Sequence, residues 1–64
     1  MDIKQKIAAL RKLSALLKEQ ADVVGAMSRN EDSPVYDVEW GRGLKISYME
    51  IGNSISELKN ALGL

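Results

Sequence analysis

The sequence contains neither cysteine nor histidine among its 64 residues. Without cysteine the chain can form no disulfides and no thiolate metal sites, which are the usual supports of small secreted domains. Without histidine it lacks the commonest general base and the commonest ligand of transition metals. These absences predict an intracellular, reducing environment and no bound metal or cofactor.

Long apolar runs are also absent, since no stretch approaches the roughly 18 residues that a membrane span needs. The N-terminal residues MDIKQKIAAL lack the apolar core and the cleavage site of a signal peptide. We therefore expect a soluble, complete chain with no membrane contact. A domain of this size buries only roughly 60% of the surface that its unfolded chain exposes, so its stability should be marginal unless a partner adds to the core.

An excess of charge of one sign is missing, because nine basic residues balance nine acidic ones. The charges are nevertheless unevenly spread. Residues 1–18 hold five basic residues against one acidic residue, for a net +4, whereas residues 19–40 hold one against six, for a net −5. This pattern is typical of a solvated surface, and it would also suit head-to-tail packing of copies.

The N-terminal half predicts a long helix over about residues 2–27. Asp2 is a good N-cap, and Gln5 is placed to complete a capping box. The apolar residues recur at spacings of three and four, which gathers them on one stripe that we expect to be the core face. This stripe consists of Ile3, Ile7, Leu10, Leu13, Leu17, Ala21 and Val24.

The next segments predict a loop and a β-hairpin. Residues 28–34, SRNEDSP, hold no large apolar side chain and end in proline, which favours a loop. Residues 36–48, YDVEWGRGLKISY, alternate with period two, and this favours two antiparallel strands over about 35–50. The pairing that keeps apolar side chains on one face sets Tyr36 opposite Tyr48 and makes Gly41-Arg42-Gly43 the turn.

The C-terminal segment predicts a short helix over about residues 54–62. Ser54 and Glu57 form a second capping-box pattern, and Gly63 stands just beyond the expected end. The predicted fold is therefore α+β: a long helix, a β-hairpin and a short helix in a single domain, residues 1–64. An all-α helical hairpin is the alternative. It is favoured by the heptad-like spacing of Leu44, Tyr48, Ile51, Ile55, Leu58 and Leu62.

No group of residues carries a recognisable catalytic pattern. The closest carboxylates are Glu31 with Asp32 and Asp37 with Glu39, and both pairs are more simply read as solvating charges. Gly41-Arg42-Gly43 has neither the length nor the Lys-Ser/Thr ending of a phosphate-binding loop. We therefore expect a protein that is not an enzyme.

Three features are candidate partner contacts. The first is an apolar arc beside the expected core stripe, which a short hairpin could not cover completely. The second is Arg42 at the tip of the predicted hairpin. The third is a basic stripe that recurs every seven residues and indicates a solvated face, a protein contact or, less simply, nucleic acid. The arc comprises Leu16, Val23 and Met27, and the stripe comprises Lys4, Arg11 and Lys18.

The order of predicted elements resembles the phage head-to-tail joining protein W family. The local likeness lies in 41-GRGLKIS-47, similar to that family's turn and strand, and in 54-SISELKNAL-62, similar to its capped last helix. The resemblance implies a non-enzymatic structural protein of the virion, in which many copies form a ring between portal and tail. Its partners would be portal or tail components and copies of itself.

A small protein-binding regulator or inhibitor is the alternative function. Such a protein would act through an exposed apolar helix face and would be cytoplasmic rather than part of a virion. Both readings predict protein partners, an oligomeric working state and no catalysis. Direct binding to nucleic acid is unlikely because the chain is neutral overall and shows no nucleic-acid-binding module.

Overall fold

The chain folds into two α-helices. The computed structural model describes all 64 residues: helix α1 spans Ile3–Asp32, helix α2 spans Val38–Leu62, and residues 33–37 join them. The five-residue connection turns the chain back, so that the helices pack side by side as a hairpin. The molecule is a rod that measures 50 × 14 × 14 Å.

The predicted β-hairpin and the α+β fold are wrong, and the all-α alternative is confirmed. Residues 38–50 belong to α2, residues 28–32 to α1, and the predicted short helix over 54–62 is the end of α2. Every glycine before Gly63 has a negative φ, so Gly43 does not adopt the left-handed conformation of a hairpin turn. The heptad-like spacing wins over the alternation because a continuous helix packs Ile51, Ile55, Leu58 and Leu62 against α1. An isolated two-stranded sheet is marginal at best.

Both helices are held at their ends by side chains near the chain termini and the turn. The predicted capping box is confirmed: the Gln5 N–H donates to Asp2 Oδ1 at 2.8 Å, and the Asp2 N–H donates to Gln5 Oε1 at 3.0 Å. At the other end of α1, Ser33 takes an extended conformation before Pro34, as a residue preceding proline prefers. Helix α2 ends as predicted at Gly63, which has a φ of 75°.

Asn30 ties the turn to the end of α1. Its side chain is only 2% exposed. It donates from Nδ2 to the Asp37 carbonyl oxygen at 2.9 Å and accepts from the Asp37 N–H at 3.0 Å. Asp37 in turn caps α2, since its Oδ1 accepts from the Trp40 N–H at 2.9 Å. One buried amide therefore fixes the point at which the second helix begins.

The core is a narrow line of side chains between the helices. Leu13, Ile51 and Ile55 form its buried centre, and Leu16, Val23, Leu58 and Leu62 pack against them. On α1 the packed positions, apart from the buried Ala26, follow a regular spacing of four and three residues, and we call this set the inner seam. The inner seam comprises Ala9, Leu13, Leu16, Gln20, Val23, Met27 and Asn30, all buried or partly buried.

The predicted core stripe is wrong for every member but Leu13. The other six residues of that stripe are exposed. The stripe and the inner seam have the same spacing, but they are rotated by about 100° from one another around α1. Periodicity alone does not say which of two such stripes a neighbouring helix will cover.

Two glycines in α2 provide a matched test of the helical assignment. A methyl group on Gly43 would meet no heavy atom within 4 Å, whereas one on Gly41 would lie 2.6 Å from the Tyr36 hydroxyl oxygen and 3.2 Å from Asn30 Nδ2. We expect Gly43→Ala to raise the free energy of unfolding by about 0.5 to 1 kcal/mol, because alanine favours a helix. Gly41→Ala should lose that gain by displacing Tyr36 and Asn30. Urea denaturation followed by circular dichroism measures both, and a destabilising Gly43→Ala would contradict the helix.

Asn30 should be the most sensitive polar residue of the chain. Asn30→Ala removes both hydrogen bonds to the Asp37 backbone, and we expect it to lower the free energy of unfolding by about 2 to 3 kcal/mol. Asn53→Ala is the matched control, because Asn53 is exposed within α2 and alanine has the higher helix propensity. The same denaturation measurement applies, and equal effects of the two variants would refute the role assigned to Asn30.

Candidate interaction surface

A second apolar stripe on α1 is left uncovered by the fold, and we call it the outer seam. Its large members are Ile3, Ile7, Leu10, Leu17 and Val24, which are 71%, 45%, 48%, 46% and 48% exposed. Small residues fill the remaining positions of the same four-and-three spacing. In chain order the outer seam is Ile3, Ile7, Leu10, Ser14, Leu17, Ala21, Val24 and Ser28, and all eight residues are exposed.

The outer seam is uncovered because the chain has only one other helix. Helix α2 packs on the inner seam, and a straight helix cannot also cover a stripe about 100° away around α1. A helix with two adjacent apolar stripes is expected where it has two helical neighbours, as in a bundle. The chain supplies one of these neighbours.

The two broad faces of the hairpin differ in shape and in the residues that line them. On one face, a shallow groove of about 270 Å³ is lined by Lys12, Leu16, Ser54, Glu57, Leu58 and Ala61. This groove carries a charge of each sign at its rim. Gln20 marks the other face, since its Nε2 lies 3.5 Å from the position of a methyl group on Gly52. By helical geometry the outer seam lies on the side of Gln20, away from this groove.

The start of α1 projects beyond α2. Lys12 of α1 and Ala61 of α2 line the same groove, and α2 ends only one residue after Ala61. Helix α1 begins nine residues before Lys12, at Ile3, so its first turns have no helix beside them. The apolar residues at this open end of the hairpin are accordingly exposed: Met1, Ile3, Ile7 and Leu64.

The turn end of the hairpin is apolar and acidic. Val35 is 80% exposed, and Tyr36, Val38 and Trp40 are also exposed. The carboxylates of this end are Glu31, Asp32, Asp37 and Glu39. The open end instead holds the N-terminal amino group, Lys4, Lys6 and Lys59 against Asp2 and the C-terminal carboxylate, so the two ends of the rod have opposite net charge.

The sequence-predicted contact residues fall into two groups. Leu16 and Val23 pack against the core and Met27 is partly buried, so the arc that we expected to be surplus faces α2. The expectation of surplus apolar surface on α1 holds, but for the stripe that had been assigned to the core. The basic residues Lys4, Arg11 and Lys18 are exposed and lie along one edge of the outer seam.

Arg42 does not lie at a hairpin tip. It is an exposed residue in the second turn of α2, because the strands that would have presented it do not form. The signal that sequence reasoning missed was the presence of two overlapping heptad spacings on α1, one of which runs through Gln20 and Asn30. These two polar residues interrupt the apolar pattern of the inner seam and make it harder to recognise in the sequence. Both are nevertheless suited to the edges or ends of a helix pair.

The accessible surface area shows how much more surface this fold exposes than a compact protein of the same mass. The accessible surface is 4987 Å², whereas a compact protein of 7.1 kDa exposes roughly 4,100 Å². The radius of gyration is 14.8 Å against roughly 11 Å for a compact chain of this length. The excess of roughly 900 Å² is consistent with a chain that is one part of a larger assembly.

Sites for chemistry are not evident in the fold. No three acidic side chains lie close enough together to hold a metal ion. Neither helix is at once long enough and apolar enough to cross a bilayer. The expectations that the protein binds no cofactor and catalyses no reaction stay predictions.

Leu16 tests the placement of the predicted contact residues. Because Leu16 packs against the core, we expect Leu16→Ala to lower the free energy of unfolding by about 2 kcal/mol. Ile46→Ala is the control: Ile46 is 57% exposed on α2, and its change should stay within about 0.5 kcal/mol. Urea denaturation compares the two variants. If Leu16→Ala left the free energy of unfolding unchanged, Leu16 would again be a candidate contact residue that is free to bind a partner.

Comparison of the chain with protein-family models, with curated proteins and with solved structures found no match. The resemblance to phage head-to-tail joining proteins therefore stays a prediction. It drew on the order helix, hairpin and helix, whereas the structure has two helices. What the chain does has to be inferred from its own residues and geometry.

Proposed function

We propose that the protein is a non-enzymatic protein-binding module that acts through the outer seam of α1. The observation that carries this proposal is the exposure of five large apolar side chains at heptad spacing on a helix whose other apolar stripe is already packed. Single exposed apolar residues are normal on proteins, but a contiguous stripe of them marks an interaction surface.

The expected mode of binding is helix against helix. A partner helix would lie along the outer seam as α2 lies along the inner seam, with side chains interlocking at three- and four-residue intervals. Four of the five large side chains are about half exposed and Ile3 is 71% exposed, so the burial of each contributes about 1 kcal/mol or somewhat more of the roughly 1.5 to 3 kcal/mol of full burial. The sum of about 5 kcal/mol only matches the low end of the cost of association. Charges along the edges of the seam must therefore contribute as well.

The basic edge of the outer seam indicates what the partner carries. Lys4, Arg11 and Lys18 follow the seam through its first half, so a partner with carboxylates at matching positions is favoured there. Apolar residues decide affinity in such an interface, whereas the charged edges decide orientation and exclude wrong partners. A regulator or inhibitor that binds one target protein has these requirements.

Head-to-tail joining is the other function that was expected from the sequence. A ring of copies would also need a surface on each copy that binds its neighbour, and the virion location would follow from it. No feature of the two-helix structure favours this role over that of a regulator. Identification of the partner decides between them.

The proposal is tested by affinity capture with a matched pair of variants. The tagged chain is used to capture proteins from the native lysate, and mass spectrometry identifies and quantifies them. Leu10→Gln with Leu17→Gln disrupts the outer seam, and we expect it to reduce capture of the specific partner at least tenfold. Ala8→Gln with Ala15→Gln is the control, because these two exposed alanines have the same seven-residue spacing on another face of α1.

The outcomes separate the functions. Portal or tail proteins that depend on the outer seam would support the joining role, and one host protein that depends on it would support the regulator. Capture that is unchanged in the Leu10/Leu17 variant, or a native chain that captures neither another protein nor an untagged copy of itself, would contradict the proposed use of the seam. Circular dichroism of both double variants verifies that they remain helical.

A further inference from the structure

We infer that the partner of the outer seam is a second copy of this chain, packed antiparallel to the first to form a four-helix bundle. This inference rests on the proposed function and gives the seam one occupant. Three features of the chain support it: the order of large and small residues along the seam, the opposite net charge of the two ends of the hairpin, and the area left open by the hairpin.

The seam is complementary to itself only when it is reversed. If two copies of α1 pack antiparallel so that facing positions add up to 31, a large side chain meets a smaller one in every layer. The layers are Ile3 with Ser28, Ile7 with Val24, Leu10 with Ala21 and Leu17 with Ser14. Each layer occurs twice, as a two-fold axis requires.

A parallel pair would not match large residues of one copy with small residues of the other. It would set Ser14 against Ser14, Ala21 against Ala21 and Ser28 against Ser28, and leave three of eight layers without a large apolar residue. Core positions of parallel coiled coils face their own equivalents, so this mismatch cannot be avoided by a shift that keeps the two-fold symmetry. The sequence of the seam therefore favours the antiparallel orientation.

The charges at the two ends of the hairpin favour the same orientation. Along the edge of the seam, Lys4, Arg11 and Lys18 lie in the first half, and Asp22 and Arg29 lie in the second half. Reversing the second copy places its Asp22 and its Lys18 equally close to Arg11, so the edge itself contributes attractive and repulsive pairs, whereas a parallel pair would set like charges opposite one another throughout. The reversal also places the acidic turn end of one hairpin beside the basic open end of the other, which reduces the charge at both ends of the bundle.

The area is sufficient for a stable dimer. Two separate hairpins expose twice 4987 Å², or about 10,000 Å², whereas a compact protein of twice the mass exposes roughly 6,800 Å². If the dimer were as compact as an average protein of its mass, its formation would bury the difference, roughly 3,200 Å² in total. Interfaces of permanent complexes run from about 2,000 to 5,000 Å². The second copy would also cover the open end of α1, which no other part of the chain reaches.

The inference is tested first by the mass in solution. Sedimentation equilibrium of the purified full chain from 1 to 500 µM, roughly the range of modest dimer affinities, follows the change from 7.1 kDa to twice that mass. Trp40 supplies the absorbance. We expect a dimer that Leu10→Gln with Leu17→Gln weakens at least tenfold and that Ala8→Gln with Ala15→Gln leaves within about twofold.

An exchange of charges between two positions distinguishes a specific antiparallel interface from nonspecific hydrophobic association. Asp22→Lys alone replaces two attractive pairs with Arg11 by two repulsive ones in the dimer, and we expect it to weaken dimerisation roughly tenfold, whereas Arg11→Glu alone exchanges pairs with Asp22 for pairs with Lys18 and should change the affinity little. The double variant restores the pairs and should recover most of the affinity. Arg11 and Asp22 are 11 residues apart on one helix, about 16 Å, so recovery can only come through the second copy.

The orientation is measured by distance. The chain has no cysteine of its own, so Ser33→Cys in the turn accepts a single spin label per copy. Antiparallel copies hold the two turns at opposite ends of the bundle, with a label separation above roughly 40 Å, whereas parallel copies would bring them within roughly 25 Å. A short distance would overturn the arrangement.

The inference and the proposed function fail differently. A chain that stays monomeric at every concentration, or a charge exchange without recovery, overturns the second copy as the occupant. If the monomer still captures a lysate protein through Leu10 and Leu17, the outer seam is a binding surface for a foreign partner and the proposed function stands. If it captures none, both are overturned.

Discussion

The bidentate contact between the Asn30 side chain and the Asp37 backbone is the interaction on which the hairpin depends. It closes the turn, it fixes the first residue of α2, and through that residue it sets the register of the whole helix pair. With the register set, α2 meets the inner seam along its entire length, and the outer seam is the stripe that remains. A buried amide that satisfies both backbone groups of a single residue can do this without a charge or a metal. The neighbouring Gly41 leaves the space that Tyr36 and Asn30 occupy.

The start of α1 and the end of α2 could be predicted from the sequence, whereas the middle of the chain could not: α1 runs to Asp32 rather than to about residue 27, and Ser54 lies inside α2 instead of capping a helix. Asp2 with Gln5 and Gly63 carry local signals that depend on few neighbours, and the structure places both as expected. Residues 36–48 satisfy strand alternation and helix spacing at once, so only packing against α1 decides between them. The three glycines and the single proline near this segment favoured a turn, yet Gly41, Gly43 and Gly52 all lie within α2. Tertiary contacts overrode local preference there.

The candidate surface shows the same division. That α1 carries more apolar surface than a small chain can cover followed from its composition and spacing. Which stripe would be covered did not follow, because the inner seam includes the polar Gln20 and Asn30 and the outer seam looks the more apolar of the two. The fold buries the less apolar stripe because that stripe contains the residue that closes the turn. A helix whose less apolar face is packed and whose more apolar face is exposed is suited to a further packing partner.

The projecting start of α1 also bears on how the molecule moves. Its first turns have backbone hydrogen bonds and a capping box but no side chains of α2 beside them, so their opening disturbs none of the core. Local opening therefore needs little free energy, and amide hydrogens near Ile7 should exchange with solvent much faster than those near Leu13 or Ile55. The chain thus has a graded stability along its axis: it is most stable around the core residues Leu13, Ile51 and Ile55 and least stable where α1 extends past α2. A partner that binds the first turns of α1 must order them, which costs part of the binding free energy. Slower hydrogen exchange in these turns would therefore indicate that the site is occupied.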